Sequence, residues 1–207
     1  MKKLGILLVG LGFLLVAFVV ALLTMRQPEP KEPANSRTVT SISRKRKASG
    51  RILVVYMSRT GHTKQVAEEL HRHVGGDLYQ LKTQKTYPQS YQKMLDVAQS
   101  EQDADARPRL KGQLPKLARY QTIFLGYPIW WDKNPMAINT FLEHYPDFKG
   151  KTIYPFTTSG SSGLGLSIPV IRQNARNAKI GKGLAVTDAE MKRMPRMVAT
   201  WLEENYK

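Results

Sequence analysis

Short apolar runs alternate with helix-periodic segments through most of the chain. Ile52–Tyr56 is a run of five apolar or aromatic residues, which is typical of a strand buried on both faces. A helix-periodic segment follows, with Val66, Ala67, Leu70 and Val74 on one face. This pair predicts a buried strand that leads through a tight turn into an amphipathic helix.

The same alternation is repeated to the end of the chain. Further strands are predicted at Asp77–Lys82, Gln121–Tyr127, Lys151–Thr157 and Ile180–Val186. Further helices are predicted at Tyr91–Ala104, from Asn134 and Pro135 onwards, at Ser167–Ala178 and from Thr187 to Asn205. Asn134 is expected to cap its helix, with Pro135 at the first helical position, and Thr187 forms a capping box with Glu190. The alternation predicts a three-layer α/β fold, a parallel sheet with helices on both faces.

The turn after the first strand, Ser58–Thr63, combines several features of an anion site. The first turn of a helix has unpaired backbone N–H groups, and its dipole favours negative charge. Ser58, Thr60 and Thr63 add hydroxyl groups, and Gly61 permits a positive φ. Tyr56 and His62 stand where a P-loop has its earlier glycine and its lysine, and of the three glycines of a dinucleotide fingerprint only Gly61 is present. The pattern favours a phosphate monoester such as that of FMN, with an ordinary capped strand-to-helix turn as the alternative.

Two more unusual loops follow the third and fourth strands. One contains Pro128 and the adjacent Trp130 and Trp131, whose flat faces suit a planar ring, although either indole could instead pack into the core. The other, Thr158–Gly165, is rich in glycine and hydroxyl side chains, and it is either a donor loop or a flexible surface loop. The carboxyl ends of parallel strands share one edge, where ligands bind in such sheets, so we expect all three loops to lie together.

The segments SRTGHT, YPQSY…ARPRL, GYPIWW and FTTSGSSGLG resemble the flavodoxin family in their order and spacing, from about Arg51 onwards, and resemble most a bacterial flavodoxin-like branch. The resemblance implies a five-stranded parallel sheet of order 2-1-3-4-5 and noncovalent FMN. It departs at Asp132 and Lys133, where family members often have Gly. It implies phosphate contacts from Ser58, Arg59, Thr60, Gly61, His62 and Thr63, and ring contacts from Pro128, Ile129, Trp130, Trp131, Ser159, Gly160, Ser161, Ser162 and Gly163.

The amino-terminal 50 residues have a different composition from the rest. Leu4–Met25 is 22 residues without a charge, and at about 1.5 Å per residue a helix of this length crosses a bilayer. We expect residues 1–25 to be an uncleaved transmembrane anchor, with a cleaved signal segment as the alternative. Residues 26–50 are predicted to be a disordered, basic and proline-rich linker. Residues 51–207 are predicted to be the FMN-binding domain.

The orientation of the predicted anchor is not settled by its flanking charges. Lys2 and Lys3 favour a domain on the external face, whereas Arg44–Lys47 favours the opposite under the positive-inside rule. Large domains translocate largely regardless of charge, so the external face is favoured.

Charge and composition narrow the classes of partner. The net charge is +16, and the residues after position 50 still hold 23 basic against 14 acidic side chains. This favours an anionic partner such as lipid headgroups, cell-wall polymer or an acidic redox protein. Nucleic acid is not expected, because no nucleic-acid-binding signature is present. The chain has no cysteine and four histidines in no metal-binding pattern, so no metal site is expected.

These features predict a membrane-tethered FMN electron carrier that passes one or two electrons to redox partner proteins or small acceptors. No catalytic side chain is required. The alternatives are an FMN-dependent NAD(P)H:quinone-type reductase and a surface domain that binds anions without redox chemistry. Because Arg59 and the basic surface favour added negative charge, we expect a redox potential less negative than that of acidic flavodoxins.

Overall fold

The structure is a computed structural model that describes residues 51–206. The predicted anchor or signal segment (1–25) and linker (26–50) lie outside the described residues. Among the helices of residues 51–206, none is both long and apolar enough to cross a bilayer.

Strands and helices alternate as predicted, with bounds that differ by a few residues, except that the predicted last helix begins with a 3₁₀ segment over Asp188–Arg193 and becomes α-helical only at Met194. The strands are β1 (Ile52–Tyr56), β2 (Asp77–Gln80), β3 (Thr122–Pro128), β4 (Thr152–Ser159), β5 (Lys179–Ile180) and β6 (Leu184–Thr187). The α-helices are α1 (His62–Val74), α2 (Tyr91–Asp103), α3 (Met136–Glu143), α4 (Ser167–Asn174) and α5 (Met194–Asn205). Two 3₁₀ segments, Leu117–Arg119 and Asp188–Arg193, precede β3 and α5.

The sheet is parallel and has the order β2-β1-β3-β4-β5, which confirms the order expected from the resemblance. The predicted fifth strand is split into two short strands, β5 and β6, and both pair with β4. The break falls at Gly181 and Gly183. A Cβ at Gly181 would lie 2.4 Å from the ring of Tyr154, and one at Gly183 would lie 2.8 Å from Leu164. Neighbouring side chains therefore occupy the space that a continuous strand with larger residues would need.

Alternate side chains of the central strands enter two separate cores. Leu53 and Ile123 pack under α2, α3 and α4, whereas Val54, Phe124 and Phe156 pack against α1 and α5. Successive residues of a strand point to opposite faces, so strands buried on both faces are apolar throughout. This confirms the predicted three layers.

One predicted helix cap is wrong and another is confirmed. Helix α3 begins at Met136 with Pro135 as its N-cap residue, one position later than expected. Asn134 is buried, and its Nδ2 donates to Asn139 Oδ1 at 2.8 Å, so its side chain is turned inward and does not cap the helix. The capping box at Thr187 is present, with its backbone N and its Oγ1 both donating to Glu190 Oε2.

Candidate functional site

The loops after β1, β3 and β4 meet at the carboxyl edge of the sheet, as the sequence predicted. They enclose a cavity of about 610 Å³, a volume typical of small-molecule sites. Twelve of the predicted site residues line it: Arg59, Thr60, His62, Thr63, Pro128, Ile129, Trp130, Trp131, Ser159, Gly160, Ser161 and Ser162. Ser58, Gly61 and Gly163 do not line it.

Ser58 and Gly61 instead shape the turn that leads into α1. The backbone N of Gly61 donates to Ser58 Oγ at 3.2 Å, and Gly61 has φ of 102°. A Cβ at Gly61 would meet no atom within 4 Å, so this position requires glycine for its backbone conformation and not for space. The turn presents the start of α1, with Thr60 and Thr63, to the cavity.

Two buried hydroxyl groups join the first and third loops. The Oγ1 atoms of Thr63 and Thr158 lie 2.7 Å apart, and both residues are buried. Within the third loop, the backbone N of Gly163 donates to Ser159 Oγ, and Thr157 Oγ1 donates to the Gly163 carbonyl. Gly163 therefore closes this loop on itself. These contacts fix the positions of the hydroxyl groups.

The aromatic loop makes a tight turn without glycine. Trp130 and Lys133 exchange backbone hydrogen bonds of 2.9 and 3.1 Å. Between them Trp131 and Asp132 both have left-handed backbone, with φ of 48° and 58°, a conformation uncommon for residues other than glycine. The carbonyl of Asp132 accepts from the backbone N of Leu166 at 2.6 Å. This bond to the third loop holds the conformation that a glycine would otherwise adopt more easily.

The two adjacent tryptophans have opposite environments. Trp130 is 6% exposed, and its ring meets that of Tyr87 edge-on at 4.9 Å. Trp131 is 47% exposed, and its Nε1 donates to the Leu95 carbonyl at 2.9 Å. The alternative that an indole packs into the core is therefore correct for Trp130. Trp131 is the one that offers an indole at the open side of the cavity.

Helix α2 provides a wall that the sequence analysis did not predict. Tyr91, Met94 and Leu95 line the cavity, and Tyr91 is 65% exposed at its rim. Asp132 and Asp188 also line it without having been predicted, and so does Thr158, which begins the predicted donor loop but was not named as a contact residue. Asp188 directly follows β6, so its position after a strand was a usable signal, because all such positions meet at this edge.

The charged groups of the cavity are of mixed sign. Arg59 is the only Lys or Arg among the described lining residues, and its Nη1 donates to the carbonyls of Pro88 and Gln89. His62 Nδ1 lies 2.9 Å from Asp188 Oδ1, which links the start of α1 to the end of β6. Asp132 adds a second carboxylate. The cavity therefore offers an anion mainly hydroxyl and backbone donors.

Comparison with known proteins gives a consistent result. The sequence model of the flavodoxin family matches residues 51–205. The chain is 36% identical to a candidate flavoprotein of Bacteroides eggerthii DSM 20697 of solved structure, with a TM-score of 0.63 and coverage of 75% of this chain and 98% of that one. For a candidate flavoprotein of Bacteroides uniformis ATCC 8492 the identity is 35%, the TM-score 0.63 and the coverage 74% and 98%.

A more distant solved structure shares the fold. It is a flavoprotein of Lactobacillus acidophilus NCFM in complex with FMN, 19% identical, with a TM-score of 0.59 and coverage of 70% of this chain and 99% of that one. No curated protein matches the chain.

Proposed function

Because the chain belongs to the flavodoxin family, we propose that its cavity binds FMN and that the protein carries electrons between redox partners. The observation that carries this proposal is the meeting of three loops around one cavity of about 610 Å³. FMN is the cofactor, and its isoalloxazine ring supplies the one- and two-electron chemistry. The residues of the chain bind the cofactor, orient it and control access to it.

The donor set fits a phosphate monoester. Thr60 and Thr63 bring hydroxyl groups to the start of α1, where backbone N–H groups and the helix dipole favour an anion. Ser58 and Gly61 hold the turn in shape. We assign the phosphate to this turn. Arg59 and His62 line the same wall and supply the cationic and ring-nitrogen contacts.

The remaining walls fit a flat ring with one polar edge. Trp131, Leu95 and Ile129 present apolar surface, and an indole offers a large face for stacking. Ser159, Gly160, Ser161 and Ser162 are small and carry donor groups, which permits close approach to the polar edge. We therefore assign the ring to the space between the aromatic loop, α2 and the third loop.

Electron transfer requires an accessible ring edge rather than an acid, base or nucleophile. Tyr91 and Trp131, at the rim, are 65% and 47% exposed, so a partner protein can approach this side. Trp130 and Tyr87, packed beneath, exclude water from the inner side. The role of the chain is thus to hold the cofactor with one edge open.

A reductase that accepts electrons from NAD(P)H and passes them to a quinone is the second candidate. The exposed rim formed by Tyr91 and Trp131 favours it, since a small planar substrate has an aromatic surface to contact there. The exposed rim is compatible with both an electron carrier and a reductase, so the two functions are distinguished by their reaction rates.

The experiment uses the full chain purified in a neutral detergent and loaded with FMN. A carrier, once reduced chemically, passes electrons rapidly to a one-electron acceptor such as ferricyanide, and oxidises NAD(P)H only slowly without a partner protein. Steady NAD(P)H oxidation with a quinone and no partner would instead identify a reductase. A purified chain that takes up no flavin would overturn both.

We also propose that residues 1–25 anchor the domain in a membrane, with the basic linker 26–50 beside anionic lipid and the domain on the external face. The support is the uncharged Leu4–Met25 segment and the charge of the linker. Protease added to intact cells is expected to cleave the domain from the membrane. Protection of the domain until the cells are lysed would reverse the assigned side.

A further inference from the structure

Beside the flavin cavity lies a second, smaller recess of about 240 Å³ between the end of β1 and the segment that follows β2. We name it the basic recess, and its charged lining residues are Arg59, Lys82 and Lys111. We propose that the basic recess binds the phosphate or diphosphate group of a small molecule, separately from the FMN phosphate.

The arrangement of the two lysines is the first observation. Thr83 and Leu110 form an antiparallel bridge, and the backbone N of Lys111 donates to the Lys82 carbonyl at 2.7 Å. This register places Lys82 directly opposite Lys111. Like charges that face each other across paired strands destabilise the pairing. The pairing therefore places two positively charged residues at opposite positions of the same backbone bridge.

The second observation is the missing counter-charge. No carboxylate lines the basic recess among the described residues, and neither Lys82 nor Lys111 forms an ion pair with any residue of that part of the chain. The flavin cavity differs, because Asp132 and Asp188 line it together with Arg59. A bound anion would supply the charge that the recess lacks.

The third observation is the set of neutral donors around the two lysines. The side-chain amides of Gln80, Gln84 and Gln89 line the recess, and within residues 51–206 they make no hydrogen bond. The hydroxyl groups of Ser58 and Thr86 lie on the same lining. Amide, hydroxyl and ammonium donors together suit the several acceptor oxygens of a phosphate.

Size limits the ligand. The 240 Å³ recess is below the roughly 300–1,000 Å³ of sites that enclose a whole drug-sized molecule. It holds about eight water-sized volumes, which suits a phosphate or diphosphate group. Arg59 lines both spaces, so the basic recess and the flavin cavity adjoin each other. The rest of a molecule whose phosphate is bound in the recess can therefore reach the flavin cavity. The shared chemistry is a phosphoryl group, carried by a nucleotide or by a smaller ester.

The test titrates the full chain in neutral detergent with inorganic pyrophosphate by calorimetry, with FMN saturating and ionic strength constant. The wild type is expected to bind one pyrophosphate, and the K82Q/K111Q variant to bind at least about tenfold more weakly. The matched control, K149Q/K179Q, removes the same charge from exposed lysines outside the recess, and is expected to stay within about twofold of wild type. FMN affinity measured alongside should be unchanged in both variants.

Absence of pyrophosphate binding in the wild type would overturn the proposal, and so would an equal loss in the control, because general surface charge would then explain the binding. Displacement of pyrophosphate by NADPH would support the site and identify a nucleotide as its occupant. Specific pyrophosphate binding that NADPH does not displace would support the site with a smaller ester. If the chain takes up no FMN but K82Q/K111Q still binds pyrophosphate more weakly than the wild type, the proposed FMN function is wrong and the anion site in the basic recess is supported.

Discussion

Two walls of the flavin cavity are held in place by different interactions. The aromatic wall, Pro128–Asp132, is fixed against the segment between β2 and β3, by the buried contact of Trp130 with Tyr87 and by the hydrogen bond from the Trp131 indole to the Leu95 carbonyl. The hydroxyl wall, formed by the turns after β1 and β4, is fixed by short hydrogen bonds, chiefly between Thr63 and Thr158.

Because of this difference, a single substitution can change stability without changing ligand binding on one wall but not on the other. On the aromatic wall the two roles fall on neighbouring residues, because Trp130 is buried and Trp131 is 47% exposed. On the hydroxyl wall they fall on the same residue, because the buried Thr63 both joins two loops and lines the cavity. The following substitutions test that division.

The largest effect is expected for Trp130→Ala. Loss of a large buried aromatic side chain and its contact with Tyr87 should lower the free energy of unfolding by about 3–5 kcal/mol. Urea denaturation of the FMN-free chain measures it. Trp131→Ala is the matched control and should cost less than about 1 kcal/mol, since that side chain is half exposed. Equal losses at the two positions would remove the distinction between them.

Trp131→Ala should instead weaken FMN binding. The loss of a stacking surface corresponds to about 1–3 kcal/mol, or about 5- to 150-fold in the dissociation constant. Quenching of flavin fluorescence during titration measures it. Trp131→Phe, which keeps a flat ring, should retain most of the affinity. If Trp131→Ala binds FMN as the wild type does while Tyr91→Ala does not, the ring stacks on α2 and the assignment to Trp131 is wrong.

Thr63→Val should reduce stability and FMN affinity together, by about 1–2 kcal/mol each. The substitution keeps the shape but leaves the buried Thr158 hydroxyl without its partner and removes a donor from the cavity. Denaturation and FMN titration of one preparation measure both quantities. Thr63→Ser, which keeps the hydroxyl, is the control. A change in only one of the two quantities would show that Thr63 does not serve both stability and FMN binding.

The smallest effect is expected for Arg59→Gln, which removes the only Lys or Arg from the described cavity lining. Positive charge in the cavity favours added electrons even from the phosphate wall, so its loss should make the midpoint potential more negative by about 15 mV, corresponding to less than about 1 kcal/mol for two electrons. Spectroelectrochemical titration measures this shift. Arg196→Gln, on α5 and outside the cavity lining, should leave the potential unchanged. A comparable shift in Arg196→Gln would attribute the effect to total charge.

The sheet order was expected from the resemblance to the flavodoxin family, whereas the three layers and the edge where the loops meet follow from the alternating apolar periodicity and from the parallel direction of the strands. The sequence did not predict that Tyr91 and Leu95 form a wall, since α2 lies within the long segment between β2 and β3 and does not directly follow a strand. It also could not separate Trp130 from Trp131, because burial of each depends on Tyr87 and α2, which are distant in the chain. The prediction that Asn134 caps α3 was wrong because its side chain donates to the buried Asn139 and accepts no hydrogen bond from the backbone N–H groups at the start of the helix.

The most direct test of the central claim compares the binding of FMN and riboflavin to the flavin-free full chain by calorimetry. If the turn after β1 holds the phosphate while the other loops hold the ring, FMN binds one to one, and riboflavin binds at least about 100-fold more weakly. No uptake of FMN, or equal affinity for the two molecules, would contradict the account.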